Sequence, residues 1–148
     1  GDLRYGSARR RLEGYQHALS DFGIPYDEAL VQGAHWFTST IGGSVSQLLA
    51  LPQPPPAIFS ASDNMAFVAI NELRSHQFCV PDDLAVVGFD DIMLAAHTTP
   101  PLTTIRQPMA DLARTATQIL IAGGDITHKR LPHELVERAS VAPPMRKA

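Results

Sequence analysis

The sequence has little cysteine, no long hydrophobic run and no excess of positive charge. Its one cysteine, Cys79, cannot form an internal disulfide and leaves no CxxC pair for zinc or redox chemistry. No stretch approaches the roughly 18 consecutive apolar residues of a membrane-spanning helix. Residues 1–15 are charged where a signal peptide needs an apolar core. We therefore expect a cytoplasmic protein with no membrane partner.

Charge and catalytic motifs exclude further classes. Twelve Lys and Arg against 15 Asp and Glu give a net charge of -3, so the chain is not itself a basic DNA-binding domain. GxSxG, GxGxxG and GxxxxGK[ST] do not occur, and the six histidines stand singly without metal-site spacing. Asp90 and Asp91 are adjacent, and neighbours on an extended chain point to opposite sides, which argues against a carboxylate dyad. The sequence predicts a protein that is not an enzyme and uses no cofactor and no metal.

Apolar periodicity, punctuated by glycine and proline, divides the chain into alternating strands and helices. The first helix starts close to residue 1, which is not a methionine, so we expect the sequence to be a piece of a longer protein. Apolar runs without alternation are typical of parallel strands buried on both faces. Predicted helices cover residues 7–22, 40–51, 63–75 and 109–121, and predicted strands cover 28–31, 57–59, 84–87, 103–105 and 134–141. The pattern predicts an α/β fold with an open, mostly parallel sheet and helices on both faces.

Two of the predicted helices have clear apolar faces. The third helix carries its apolar residues at helical spacing, with either Ser62 or Asp63 as its cap. The fourth helix shows the same spacing and ends at paired glycines. The faces predicted to be buried are Ala66, Ala69, Ile70 and Leu73 in the third helix, and Leu112, Ala116, Ile119 and Leu120 in the fourth.

Polar residues follow two of the apolar strands. Residues 60–63 follow the strand 57–59, and Asp90 follows the apolar run that begins at Leu84. Ligands bind at the carboxyl ends of strands in open α/β sheets, so these groups can reach into a cleft. Asp63 can instead satisfy the amides at a helix start. Asp90 needs a partner, a cap or a ligand because it follows the most apolar run of the chain.

Five stretches, in this order and spacing, resemble the effector-binding core of bacterial regulators of the lactose-repressor (LacI/GalR) family. They span most of the chain and read SARRRLEGYQHALSDFGIP, AIFSASDNMAFVAINELRSH, VPDDLAVVGFDD, TPPLTTIRQP and LPHELVERASVAPP. The resemblance implies a periplasmic-binding-protein-like type I subdomain formed by residues 1–98 and 126–148. It also implies that residues 99–125 belong to an amino-terminal subdomain whose main part is absent here. Operator DNA would be read only by an amino-terminal domain that this chain does not contain.

The resemblance also implies a set of ligand contacts. Arg11 matches an arginine that donates hydrogen bonds to the effector, and Asp90 matches a strand-end aspartate that accepts them. Ser62 and Asp63 stand where the family has Asn-Asp, so a hydroxyl replaces an amide. His35 or Trp36 matches a stacking aromatic, with packing in a core or interface as the alternative for Trp36. Gln107 matches a polar position on the returning strand and is otherwise an ordinary strand-end glutamine.

Function follows from the same resemblance. We expect a ligand-responsive transcriptional regulator that binds a small polar effector, such as a sugar, between two subdomains, with a periplasmic-type solute-binding protein for sugar uptake as the alternative. A homodimer is expected through Met65, Phe67 and Val68, unless these residues simply widen the core face. Because its partner sheet is absent, the helix 109–121 is expected either to swap onto a neighbouring chain or to be locally mobile.

Overall fold

The computed structural model describes residues 2–33, 38–123 and 128–142, which form a small α/β unit. The strands are β1 (Ala57–Phe59), β2 (Ala85–Asp90), β3 (Thr103–Arg106) and β4 (Glu134–Val136), and the α-helices are α1 (Gly6–Asp21), α2 (Thr38–Leu49), α3 (Asp63–Ser75) and α4 (Met109–Ala122). The sheet order is β1-β2-β3-β4. The first three strands are parallel and β4 is antiparallel to β3. The predicted α/β class with an open, mostly parallel sheet is confirmed.

The core lies between α3, α2 and the sheet. Ser62 starts α3 by accepting a hydrogen bond from the amide of Met65, so the helix begins where the sequence predicts. Its predicted apolar face is at most 5% exposed and packs against residues of α2, of β2 with the residue before it, and of the segment between β2 and β3, namely Val45, Leu84, Val86, Ala95 and Leu102. Burying one such leucine stabilises the fold by about 1.5–3 kcal/mol. This packing fixes the carboxyl ends of β1 and β2 relative to each other.

The residues predicted for a dimer interface pack largely within the chain. Met65 is 6% exposed and clusters with Ile41 of α2, so it is not available as a surface contact. Phe67 is partly buried against the main core, and Val68 is partly buried against the cluster of Met65 and Ile41. For Met65 this burial favours the alternative that the residue widens the core face, because α2 covers that side of α3. Dimerisation through Phe67 and Val68 stays a prediction.

The predicted strand 28–31 is wrong. Residues Glu28–Leu30 form a short 3-10 helix, in which the side chain of Asp27 accepts a hydrogen bond from the amide of Ala29. A local cap of this kind offers the backbone an alternative to strand pairing.

The last strand, β4, is shorter than predicted because Ser140 forms hydrogen bonds with β2 and β3 and does not continue the strand. Its hydroxyl donates to the carbonyl of Val86 at 2.6 Å and accepts from the amide of Thr103 at 2.8 Å, while its own carbonyl accepts from the amide of Val86. Ser140 is fully buried and bridges β2 and β3. The backbone after Val136 therefore leaves the antiparallel ladder to close the gap between two other strands.

The helix α4 forms where the sequence predicts but buries none of its residues. Leu120 and Ile121 are 82% and 81% exposed, and Leu112 is 36% exposed. The predicted burial of this face was wrong for the chain by itself because no sheet is packed against it. Among the described residues, no helix is long and apolar enough to span a membrane.

Candidate functional site

β2 ends in a turn formed by two aspartates. Asp90 has φ 121° and Asp91 has φ 54°, conformations that residues with a Cβ rarely adopt. The carboxylate of Asp90 contacts Gln107, whereas that of Asp91 contacts Arg138. The adjacent aspartates therefore serve separate interactions, in line with the argument against a dyad.

Arg11 projects from α1 onto the end of β2. Its guanidinium carbon lies 3.8 Å from the centroid of the Phe89 ring, a cation-π contact that holds the planar group in place. Its Nε atom is buried and has no hydrogen-bond partner among the described residues. Burial lowers the pKa of Arg11, and the negative charge of Asp90 partly offsets this effect. A buried donor without a partner is costly, which makes it a candidate for pairing with a ligand.

Asp90 and Gln107 are joined by a hydrogen bond from Nε2 to Oδ1 of 2.6 Å. Burial raises the pKa of Asp90, with opposing effects of the Gln107 hydrogen bond and the Arg11 charge, and a further increase from Asp63. The structure thus brings Arg11, Asp90 and Gln107 together at the carboxyl end of β2. The cluster offers a fixed donor, a carboxylate acceptor and an amide within one partly buried surface.

Ser62 and Asp63 lie behind this cluster and not on it. Asp63 has no accessible surface, and its carboxylate accepts hydrogen bonds from the amide of Ile92 at 2.8 Å and from Oγ1 of Thr104 at 2.5 Å. Ser62, 4% exposed, caps α3. Gly88 leaves room for the Asp63 carboxylate, since a Cβ there would collide with it. Of the two cap candidates, Ser62 makes the cap and Asp63 fixes the loop that follows Asp91.

Sequence reasoning missed the role of Asp91. Its carboxylate accepts hydrogen bonds of 2.6 Å from both Arg138 and Arg106, and Arg106 also contacts Glu134. Burial would raise the pKa of Asp91, but the two arginine hydrogen bonds outweigh it and hold the pKa below its ordinary value. The two partners lie 15 and 47 residues away in sequence, and no local spacing signals such pairs.

The remaining candidates fall outside this cluster. His35 and Trp36 lie outside the described residues. His133, which was not singled out, places its ring 5.7 Å from that of Phe89. A cavity of about 360 Å³ lies between α1, β1 and α2 and reaches both Arg11 and Ser60. In the described part of the chain no group of His, Cys, Asp or Glu is arranged to hold a metal ion.

Known proteins share this sequence and fold. Residues 2–141 match the periplasmic binding protein-like domain family. A "Probable opine utilization operon repressor" of Rhizobium rhizogenes is 35% identical over 150 residues, covering 96% of this chain and 76% of the relative. The ribose operon repressor of Escherichia coli K12 is 40% identical over 122 residues, covering 82% of this chain and 37% of the relative.

The structural match is equally extensive. The crystal structure of a sugar-binding transcriptional regulator of the LacI family from Escherichia coli, complexed with phosphate, is similar with a TM-score of 0.87 and 30% identity. The match covers 97% of this chain and 53% of that one, so the chain spans about half of the solved regulator. With its parallel sheet and strand-end cluster, the chain belongs to the periplasmic binding protein-like domain family, in the group formed by the effector-binding cores of LacI-type regulators.

Proposed function

We propose that this chain is part of the effector-binding core of a ligand-responsive transcriptional regulator and holds a sugar at Arg11, Asp90 and Gln107. One observation supports the proposal above all: the buried Nε of Arg11, beside the carboxylate of Asp90, has no hydrogen-bond partner among the residues that the structure describes. The cluster stands at the carboxyl end of a parallel strand, where ligands bind in open α/β sheets.

The chemistry of the cluster suits a neutral polyol. A sugar hydroxyl can both donate and accept, so adjacent hydroxyls pair with a guanidinium and a carboxylate at once. Phe89 holds the Arg11 plane, and Gln107 occupies one carboxylate oxygen of Asp90. The other oxygen of Asp90 is then directed to the ligand. Such a site binds without catalysis, since the cluster offers no nucleophile with an adjacent base.

The similar proteins support a regulator over the rival classes. Two are repressors by name and the third is a sugar-binding transcriptional regulator. In the proposal, operator binding and the second wall of the cleft belong to the rest of the protein, and the complete regulator is a cytoplasmic homodimer. Residues 99–125 were assigned to the other subdomain, but β3 pairs with β2 and β4 in the sheet described here, so only α4 is proposed to pack on that subdomain. A solute-binding protein is the alternative, and a helix-turn-helix or an export signal encoded upstream would separate the two.

The test is calorimetry on the complete regulator with D-ribose and a panel of other monosaccharides. Asp90→Asn keeps the shape and removes the charge, and Arg11→Gln removes the fork. Losing one charge-assisted hydrogen bond weakens binding by about 1.5–3 kcal/mol, roughly 10- to 150-fold. Asp111→Asn is the matched control, because that carboxylate is exposed on α4 and pairs only with Arg114 among the described residues. Unchanged affinity for the bound sugar in both site variants would overturn the assignment.

A further inference from the structure

A second concave surface, here called the basic groove, lies beside the strand-end cluster. It is a cavity of about 570 Å³ between α1, the start of α4 and the segment before β4. Its lining contains three permanent cations and one carboxylate, together with a histidine and two leucines. The lining residues are Arg10, Glu13, Gln107, Leu112, Lys129, Arg130, Leu131 and His133.

The positive charge of the basic groove is offset in part by Glu13, but its cations form no ion pair with any residue that the structure describes. Outside the groove and apart from Arg11, the arginines in the described part of the chain are paired with carboxylates or carbonyls: Arg4 with Asp2, Arg9 with Leu3, Arg74 with Thr99, Arg106 and Arg138 with Asp91, and Arg114 with Asp111. By contrast, Arg10, Lys129 and Arg130 make no hydrogen bond or ion pair with any described residue. Three unpaired cations on one concave surface raise the local positive potential and attract anions.

The basic groove is continuous with the strand-end cluster. Gln107 lines the groove and donates its hydrogen bond to Asp90. His133 also lines the groove, and its ring contacts the same Phe89 side chain on which Arg11 rests. One groove residue, Gln107, therefore belongs to the cluster, and a second, His133, packs on the Phe89 ring that supports Arg11. One small molecule can touch both surfaces.

We propose that the basic groove binds the phosphate group of the effector, whose polyol portion is held at Arg11 and Asp90, so that the ligand is a phosphorylated sugar. This inference rests on the proposed function for the polyol portion only. A phosphate monoester carries nearly two negative charges at neutral pH and three acceptor oxygens, which matches several converging cations. Arginine's planar fork suits two phosphate oxygens at once, whereas lysine acts as a point charge.

The first experiment requires no knowledge of the sugar. Inorganic phosphate is titrated into the ¹⁵N-labelled chain at constant ionic strength, and amide shifts are followed. We expect saturable shifts at the groove residues, and binding weakened by up to about fivefold for each cation removed in Arg10→Gln, Lys129→Gln and Arg130→Gln. Arg114→Gln, a paired and exposed arginine outside the groove, should bind phosphate as the parent does. Absent shifts, or equal weakening in the control, would overturn the phosphate assignment.

The second experiment separates the two proposals. Calorimetry on the complete regulator compares D-ribose with D-ribose 5-phosphate, and D-gluconate tests a carboxylate in place of the ester. We expect the groove variants to weaken only the phosphorylated ligand, and Asp90→Asn to weaken both ligands. Sugar binding that depends on Asp90 but gains nothing from the phosphate would refute the basic groove and leave the proposed function standing. If the groove variants lose binding of the phosphorylated ligand but Asp90→Asn does not change it, the basic groove would stand and the proposed function would be refuted. Tighter binding of gluconate than of the ester would contradict the choice of phosphate.

Discussion

Arg138 donates a hydrogen bond of 2.6 Å to the carboxylate of Asp91, which lies 47 residues earlier in the chain. The same guanidinium donates to the carbonyl of Leu102 at 2.7 Å. The side chains of Arg138 and Asp91 are only 16% and 8% exposed. This ion pair ties the turn that carries Asp90 to the segments flanking β3 and β4.

Removing Arg138 should destabilise the chain strongly. Arg138→Gln leaves a nearly buried carboxylate with Arg106 as its remaining cation, and breaking a buried pair costs about 3 kcal/mol. Urea unfolding measures the loss. Arg114→Gln breaks a pair whose side chains are 65% and 59% exposed, so it should cost less than about 0.5 kcal/mol. Equal losses in the two variants would contradict a structural role for the Asp91 pair.

Stability should fall in acid through Asp91. Burial would raise the pKa of Asp91, but the Arg138 and Arg106 hydrogen bonds hold it below the ordinary value. The stabilisation is thus present above the unfolded-state pKa, about 3.9, and is lost as pH falls toward the folded-state pKa. Unfolding curves between about pH 5 and 2 should show a smaller acid loss in Asp91→Asn than in the parent. The same acid loss in both proteins would contradict the prediction.

The contribution of Asp90 to stability should depend on pH in the opposite direction. Burial raises the pKa of Asp90, so its contribution to stability is present below the unfolded-state pKa and is lost as pH rises through the folded-state pKa. The Asp90→Asn variant has no ionisable group at this position. Its free energy of unfolding should therefore rise relative to that of the parent as pH increases across this interval. Parallel curves for the two proteins would show that ionisation of Asp90 is not opposed in the fold.

Adding one methyl group at Gly88 should disturb the turn formed by Asp90 and Asp91. A Cβ at this position would lie 2.8 Å from Cδ2 of Leu102 and would collide with the Asp63 carboxylate. Gly88→Ala is expected to cost about 1–3 kcal/mol in unfolding free energy by overpacking. Gly43→Ala is the control, because nothing lies within 4 Å of a Cβ there and alanine favours a helix interior by about 1 kcal/mol. A Gly88→Ala protein as stable as the parent would contradict this close packing.

The two helices α3 and α4 should exchange their amide hydrogens at different rates. α3 has six buried residues, whereas α4 has none. Local opening of α4 therefore exposes little further apolar surface and should be frequent. In this chain we expect slow exchange in α3 and fast exchange in α4, with protection of α4 in the complete regulator, where α4 is proposed to pack on the other subdomain. Equal protection of both helices in the chain alone would contradict this assignment.

The sequence was sufficient to predict those elements that are determined by neighbouring residues. Ser62 followed by regularly spaced apolar residues predicted both the start of α3 and its buried face, because capping and helical periodicity act within one element. The prediction of a strand at 28–31 failed since its three apolar residues, 29–31, are too few to tell a strand from a short helix. There the side chain of Asp27 decided the outcome through one short-range hydrogen bond.

The parts of the site that escaped prediction depend on contacts between distant residues. Asp63 follows a good cap residue, and nothing in its neighbourhood indicates that its oxygens bind Ile92 and Thr104 instead. Ser140 resembles any strand residue until its hydroxyl is seen between Val86 and Thr103. Such pairings arise only when the sheet order is known. Asp90 was indicated by its place after an apolar run, whereas Arg11 and Gln107 were singled out because the family resemblance supplied that long-range information.

The backbone at Asp90 limits how this site can change during evolution. With φ at 121°, beyond the left-handed helical region, the position favours glycine, and a branched or bulky side chain would add to the strain there. A new ligand preference is therefore hard to reach by enlarging or reshaping this side chain. Gln107 and the residues of the basic groove carry no such restriction. Divergence toward other effectors should therefore accumulate around a nearly fixed carboxylate.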